Sequence, residues 1–148
     1  VDVLGEVIEQ HDRMVIQKIE QFPLFLERAI KKVARDFALP DNWMNLGPAS
    51  QLDLGLPEGF SNRLIRKEYG SHLVLYFAGR KDLIHFKLFA AVDRDDYHVK
   101  DLFALKPTKE ELLEAARWTL TQDVSLEFRT LLEQFLQEKG YEDVAERL

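Results

Sequence analysis

Apolar residues recur at intervals of three and four over residues 22–37, at Phe25, Leu26, Ala29, Ile30, Val33, Ala34 and Phe37. That spacing predicts an amphipathic helix with Lys31, Lys32 and Arg35 mainly on its solvated side. Pro23 suits its first turn, where a missing N–H costs nothing. The same spacing returns after residue 80 and holds nearly to the end. It predicts helices over residues 81–93 and 97–105, then one opening at Pro107 that carries Leu112, Ala115, Ala116, Trp118 and Leu120. Another starts at Asp123 or Ser125 and buries Phe128, Leu131, Leu132, Phe135 and Leu136. Thr108 and Glu111 have the spacing of a capping box. Gly140 after Lys139 reads as a helix stop, followed by a short helix over residues 141–148.

The first 80 residues have a different texture. Val1-Asp2-Val3-Leu4 reads as a short strand, and residues 13–20 as a helix. The chain starts at Val1 rather than Met, so this strand reads as the tail of something that begins earlier. Residues 39–62 are punctuated by Pro40, Gly47, Pro48, Gly55, Pro57 and Gly59 and anchored by Trp43, Met44, Leu52, Leu54, Leu56 and Phe60. They read as a long loop or a set of short elements that packs down, either functional or a plain connector with apolar pegs. Residues 64–69 and 72–78 read as two strands joined at Gly70-Ser71, the second bulky enough at residues 73–78 to be buried on both faces. The expectation is one α/β (α+β) domain over residues 1–148, with a small mixed sheet within residues 1–80 and a helical part over 81–148.

Composition narrows the function. The chain has 148 residues, 46% of them hydrophobic and 31% charged, and a net charge of −6. That length and apolar content can bury a core without staples, and disorder is excluded. No cysteine is present, which removes disulfides, cysteine–zinc sites, thiol nucleophiles and iron–sulfur clusters. The acidity argues against bulk nucleic-acid binding. The longest apolar stretch, residues 83–92, is interrupted by His85 and Lys87 and falls short of a membrane span. No secretory leader pattern opens the chain, so a cytoplasmic location without membrane contact is expected.

Lys87 is the residue that fits the core pattern least. On a helical wheel it sits at the centre of an apolar stripe shared with Leu83, Ile84, Ala90 and Ala91, with Arg94 further along. An ammonium there needs an anion or must neutralise. One reading is a lysine that snorkels, its stem over the core and its head in water. The other is a lysine facing a phosphate or carboxylate in a cleft. Asp101 is the natural partner, within the ionisable run 93–102. Carboxylates there suit magnesium and the cations suit phosphate, but a solvated charged turn with a surface salt bridge gives the same sequence. His98 is a candidate ligand or acid. The four histidines, however, show no H-x-x-x-H or H-E-x-x-H spacing for zinc, and no Walker loop, G-x-G-x-x-G or G-x-S-x-G is present. Asp2, between Val1 and Val3, reads either as half of a metal-binding carboxylate pair on a strand or as a fraying terminus.

Several motifs in order resemble one family. Asp82-Leu83-Ile84, Lys87-Leu88, Ala90, Arg94 and Asp101-Leu102 follow a strand and lie on two successive helices. Upstream stand Trp43 and Asn45 and the Leu-Pro-x-Gly-Phe of Leu56 to Phe60; downstream stands Pro107 to Leu112. Over about residues 40–125 this resembles the nucleotidyltransferase-like proteins related to the AbiEii and MenT toxins, in a bacterial and archaeal branch.

The resemblance implies magnesium-dependent transfer of a nucleotide from a nucleoside triphosphate, by in-line attack on the α-phosphate. It extends to a toxin of a toxin–antitoxin pair, with an antitoxin protein as partner and an RNA or protein acceptor. Lys87 would contact phosphate together with Arg94, Lys87 and Asp101 would serve catalysis, and Asp2 would be the second carboxylate of the metal-binding pair. The first carboxylate and the glycine turn would precede Val1. The alternative is a non-catalytic binding or regulatory module that keeps the fold.

Overall fold

The helices form where the spacing of three and four places them. A computed structural model describes residues 1–94 and 97–148 and divides the chain into two units, Val1–Leu56 and Pro57–Leu148. Secondary structure is mixed, α+β, with the sheet content in two separate antiparallel hairpins rather than one mixed sheet.

In the first unit, β1 (Glu6–Gln10) pairs with β2 (Arg13–Gln17), and Val7 faces Ile16 while Ile8 faces Val15. The helix expected over residues 13–20 is therefore a strand. The β-branched Val15 and Ile16 lose side-chain freedom on a helix and pack well across a strand pair, as they do here. His11 and Asp12 make the connection, both at positive φ. The strand expected at residues 1–4 reduces to one parallel bridge, Asp2 with Asn45. Val3 N–H donates to the Asn45 carbonyl and Asn45 N–H to that of Val1, each at 2.9 Å.

Helix α1 (Leu24–Asp36) begins after Pro23, whose carbonyl accepts from Leu26 and Glu27 N–H. Ile30 and Ala34 are its buried residues. Phe25 and Phe37, placed on the same stripe by sequence, are 72% and 71% exposed. They lie at the two ends of the helix, Phe25 in its first turn and Phe37 at its C-cap. After α1, the Trp43 indole donates to the Ile30 carbonyl at 2.9 Å. The apolar pegs are thus held by short elements, a 3-10 turn at Gly47–Ser50 and α2 (Gln51–Leu54).

The second unit opens with a 3-10 turn at Phe60–Arg63 and the hairpin of β3 (Ile65–Tyr69) and β4 (Leu73–Phe77). The burial expected on both faces of residues 73–78 is not found. Ile65, Tyr69, Leu73, Val74 and Phe77 are all exposed, because two strands alone have no sheet neighbours to cover them. The core lies instead among α3 (Arg80–Arg94), α4 (Tyr97–Ala104), α5 (Lys109–Gln122), α6 (Leu126–Glu138) and α7 (Glu142–Glu146). Ile84, Leu88 and Ala91 of α3 meet Leu102, Leu112, Ala115, Ala116, Leu132, Leu136 and Val144, all essentially sealed from water. Burying a leucine side chain is worth about 1.5–3 kcal/mol, so this cluster dominates the unit's stability. Leu131, expected in the core, is exposed on α6.

The local signals at the helix ends operate as the sequence predicts. Thr108 and Glu111 form both halves of the capping box on α5. Ser125 accepts from Phe128 N–H to cap α6. Gly140 follows α6 at φ +82°, a conformation that disfavours side chains. Because α3, α4 and α5 are fixed in this way, charged residues at the margins of α3 come to defined positions.

Candidate functional site

Helix α3 carries two of the expected site residues, Lys87 and Arg94. Its buried residues Ile84, Leu88 and Ala91 define the inward direction, and Lys87 lies about 60° to one side of Ile84. Lys87 is thus at the rim of the buried stripe, not at its centre as the wheel suggested. Its side chain is 20% exposed. Only a rim position lets an aliphatic stem pack while the ammonium reaches a charged partner.

That partner is Asp101 of α4. Lys87 Nζ donates to Asp101 Oδ2 at 2.8 Å, and the Asp101 side chain is 45% exposed. The face of the Tyr97 ring lies 6.0 Å from the ammonium, at the outer range of a cation–π contact. The Tyr97 ring lies tilted by 36° against that of His98, with centroids 4.1 Å apart. His98 is buried, which places it inside α4 rather than at a solvent-facing ligand position.

The other expected site residues have partners of their own. Arg94, at the end of α3, is exposed and reaches its neighbour Asp93 at 3.5 Å. Asp2 belongs to the first unit, where its Oδ1 accepts from Asn45 Nδ2 at 3.2 Å. Asp95 and Asp96, part of the ionisable run read from sequence, lie outside the described residues. Of the four expected site residues, Lys87 and Asp101 are brought together. Arg94 is turned to Asp93, and Asp2 is held by Asn45.

A second ion pair on α3 escaped sequence reasoning. Asp82, in the first turn, is fully buried and receives Arg63 through both carboxylate oxygens, Nε to Oδ2 at 2.9 Å and Nη2 to Oδ1 at 2.6 Å. The third guanidinium nitrogen, Nη1, donates to the Glu58 carbonyl at 2.7 Å. One arginine therefore ties the Pro57–Arg63 turn to the start of the helix. The fork geometry of guanidinium on carboxylate makes such a pair directional. Asp82 holds the Arg63 guanidinium above its ordinary pKa, mainly through these hydrogen bonds. Gly59 adopts φ +73°, and a Cβ there would come within 2.8 Å of Arg63 Nη1. An acid in the first turn of a helix usually reads as a dipole-matching surface residue, which is why the sequence conceals this pair.

Beside it, His85 is buried against Trp118, ring centroids 5.5 Å apart, with Nδ1 2.7 Å from the Lys81 carbonyl. Burial pushes its pKa down, and the Lys81 carbonyl opposes this in part. Burial thus favours the uncharged ring, and a proton on Nδ1 would satisfy the Lys81 carbonyl. Phe60, Phe86, Phe89 and Phe128 extend the aromatic cluster around Trp118. Further along the helix edge, Arg80 binds both oxygens of Glu111 at 3.0 Å and donates to the Leu105 and Lys106 carbonyls. Arg80, followed by the Thr108 N–H, holds the Glu111 pKa down at about 2.

No family model, curated protein or solved structure matches this chain. The site must be judged on its own chemistry. No group of three or more histidine, aspartate or glutamate side chains converges among the described residues. A magnesium ion needs six oxygens and usually takes one or two carboxylates plus substrate phosphates and water. Asp2 fits it only as a single ligand to an ion that arrives with a nucleotide. The Lys87–Asp101 pair offers something simpler: a positioned cation with a stem set in the core and a carboxylate open to solvent. Among the described residues, no helix is long and apolar enough to cross a membrane.

Proposed function

We propose that this chain is a nucleotidyltransferase-like protein in which Lys87 receives the phosphates of a nucleoside triphosphate. The observation that supports this reading is the position of the Lys87 ammonium, held at the rim of the α3–α4 core 2.8 Å from Asp101 Oδ2. A cation whose stem is packed and whose head stays near water binds phosphate without a large ordering cost. In the transfer, an acceptor nucleophile attacks the α-phosphorus, the bond to the bridging oxygen breaks, and pyrophosphate leaves. Lys87 offsets negative charge on the phosphates. Asp2, in the first unit, would be the residue to hold a magnesium ion, which would supply neutralisation of phosphate charge. The acceptor, RNA or protein, and an antitoxin partner belong to the same proposal, as does a cytoplasmic location.

A second reading is a module that binds nucleotide without transferring it. It is favoured by the carboxylates: Asp101 is engaged by Lys87 and Asp2 by Asn45. Calorimetry with the four nucleoside triphosphates, with and without magnesium, tests the shared part on this chain and on Lys87→Ala. Binding by the parent and at least tenfold weaker binding by the variant is the expected result. Equal binding by both overturns the Lys87 assignment. Release of pyrophosphate with a nucleotide-labelled acceptor then separates enzyme from module.

A further inference from the structure

We infer that Asp101 is a built-in competitor for the anion that Lys87 receives, so that the ion pair is a latch the ligand must open. This inference rests on the phosphate-binding reading of Lys87 and concerns how that site is regulated. It departs from the expectation that Asp101 acts as a reacting or metal-facing group.

The asymmetry of the pair carries the argument. Lys87 is 20% exposed and Asp101 45%. The residues that flank Lys87 one turn away on α3, Ile84 and Ala91, are at most 1% exposed, and Leu102, next to Asp101 on α4, is sealed from water. A lysine stem set against such packing fixes where the ammonium sits. The Tyr97 ring covers one approach at 6.0 Å. Asp101, the more exposed of the two, lies 2.8 Å away, with its carboxylate oxygen where a phosphate oxygen would make the same charge-assisted bond. Two anions cannot share that contact without repulsion. An incoming phosphate therefore displaces the carboxylate, and Asp101, on a short and half-exposed side chain, is the group free to turn toward water. The exchange is nearly neutral in charge at Lys87, which weakens simple anions relative to polyphosphates that bring additional contacts.

The sign of one substitution distinguishes this from any supporting role. Asp101→Asn keeps the size and a hydrogen-bonding oxygen but removes the competing charge. A half-exposed ion pair contributes little in water, so its removal is expected to tighten binding about two- to fivefold. The probe is inorganic tripolyphosphate, titrated calorimetrically into the parent chain, Asp101→Asn and Lys87→Met, with circular dichroism confirming that each is folded. Tighter binding by Asp101→Asn, with binding lost in Lys87→Met, is the expected result. Equal or weaker binding by Asp101→Asn, with Lys87→Met still inactive, overturns the latch and leaves Lys87 as the phosphate residue. Binding that survives in Lys87→Met, or none by any of the three, overturns the phosphate reading itself and the latch with it.

Discussion

Two ion pairs on α3 show how the same attraction serves different ends. Asp82 is sealed from water, is gripped through both oxygens by a forked guanidinium, and has its partner tied to the Glu58 carbonyl as well. Lys87 meets Asp101 through a single contact between a compact ammonium and a half-exposed carboxylate. The first cannot open without stranding a charge in the core, and stranding is far more costly than the pair is stabilising. The second is partly open to water, where such a pair contributes little to stability. The difference is solvent access and number of contacts, not distance: both pairs are within hydrogen-bond reach.

The largest expected effect comes from opening the closed pair. Arg63→Met strands the buried Asp82 carboxylate and is expected to destabilise the chain by roughly 3–5 kcal/mol, read by urea denaturation. A loss under about 1 kcal/mol would remove the contrast between the pairs. Gly59→Ala presses on the same clasp from the other side. Its positive φ and the approach of Arg63 predict a loss of about 1–2 kcal/mol. An unchanged denaturation midpoint would mean that the turn is not held by Arg63.

Between the extremes stands Arg80–Glu111, a forked but partly exposed pair. The Glu111 pKa is lowered to about 2 from an ordinary value of 4.5. The folded chain thus binds fewer protons than the unfolded chain in that window. Its stabilisation is complete above about pH 4.5 and is lost as pH falls toward 2. The melting temperature of the parent should fall toward that of Glu111→Gln over this range, and a constant gap would contradict the assignment. Removing Thr108, the other half of the cap, is expected to cost about 1 kcal/mol. The smallest effect on stability belongs to the open pair. Asp101→Asn should change it by less than about 1 kcal/mol. A loss as large as that of Arg63→Met would show that Lys87–Asp101 is structural.

Much of the helical half was legible because its signals are local. Spacing of three and four, the Thr108–Glu111 box and Gly140 each act within a few residues, and each formed as read. The first hairpin was not legible. Residues 13–17 are short enough to read as helix or strand, and only pairing with residues 6–10 decides between them. The exposed β3–β4 hairpin shows the same limit: Leu73 to Phe77 signal a strand, but not whether anything covers it. At the site, Lys87 stood out because a cation interrupted an apolar stripe, and Asp101 followed one helix later. Asp82 stayed hidden because its partner is 19 residues away and no spacing announces a fork.

The most direct test is to watch the lysine side chains while nucleotide is added. Carbon-13 NMR of the lysine Cε positions, with the Lys87 signal assigned by Lys87→Arg, reports which ammonium meets the phosphates. The account predicts that a nucleoside triphosphate shifts the Lys87 signal first and most, at concentrations that leave the exposed lysines unmoved. A Lys87 signal that stays in place while the ligand binds elsewhere, or while it fails to bind at all, would contradict it.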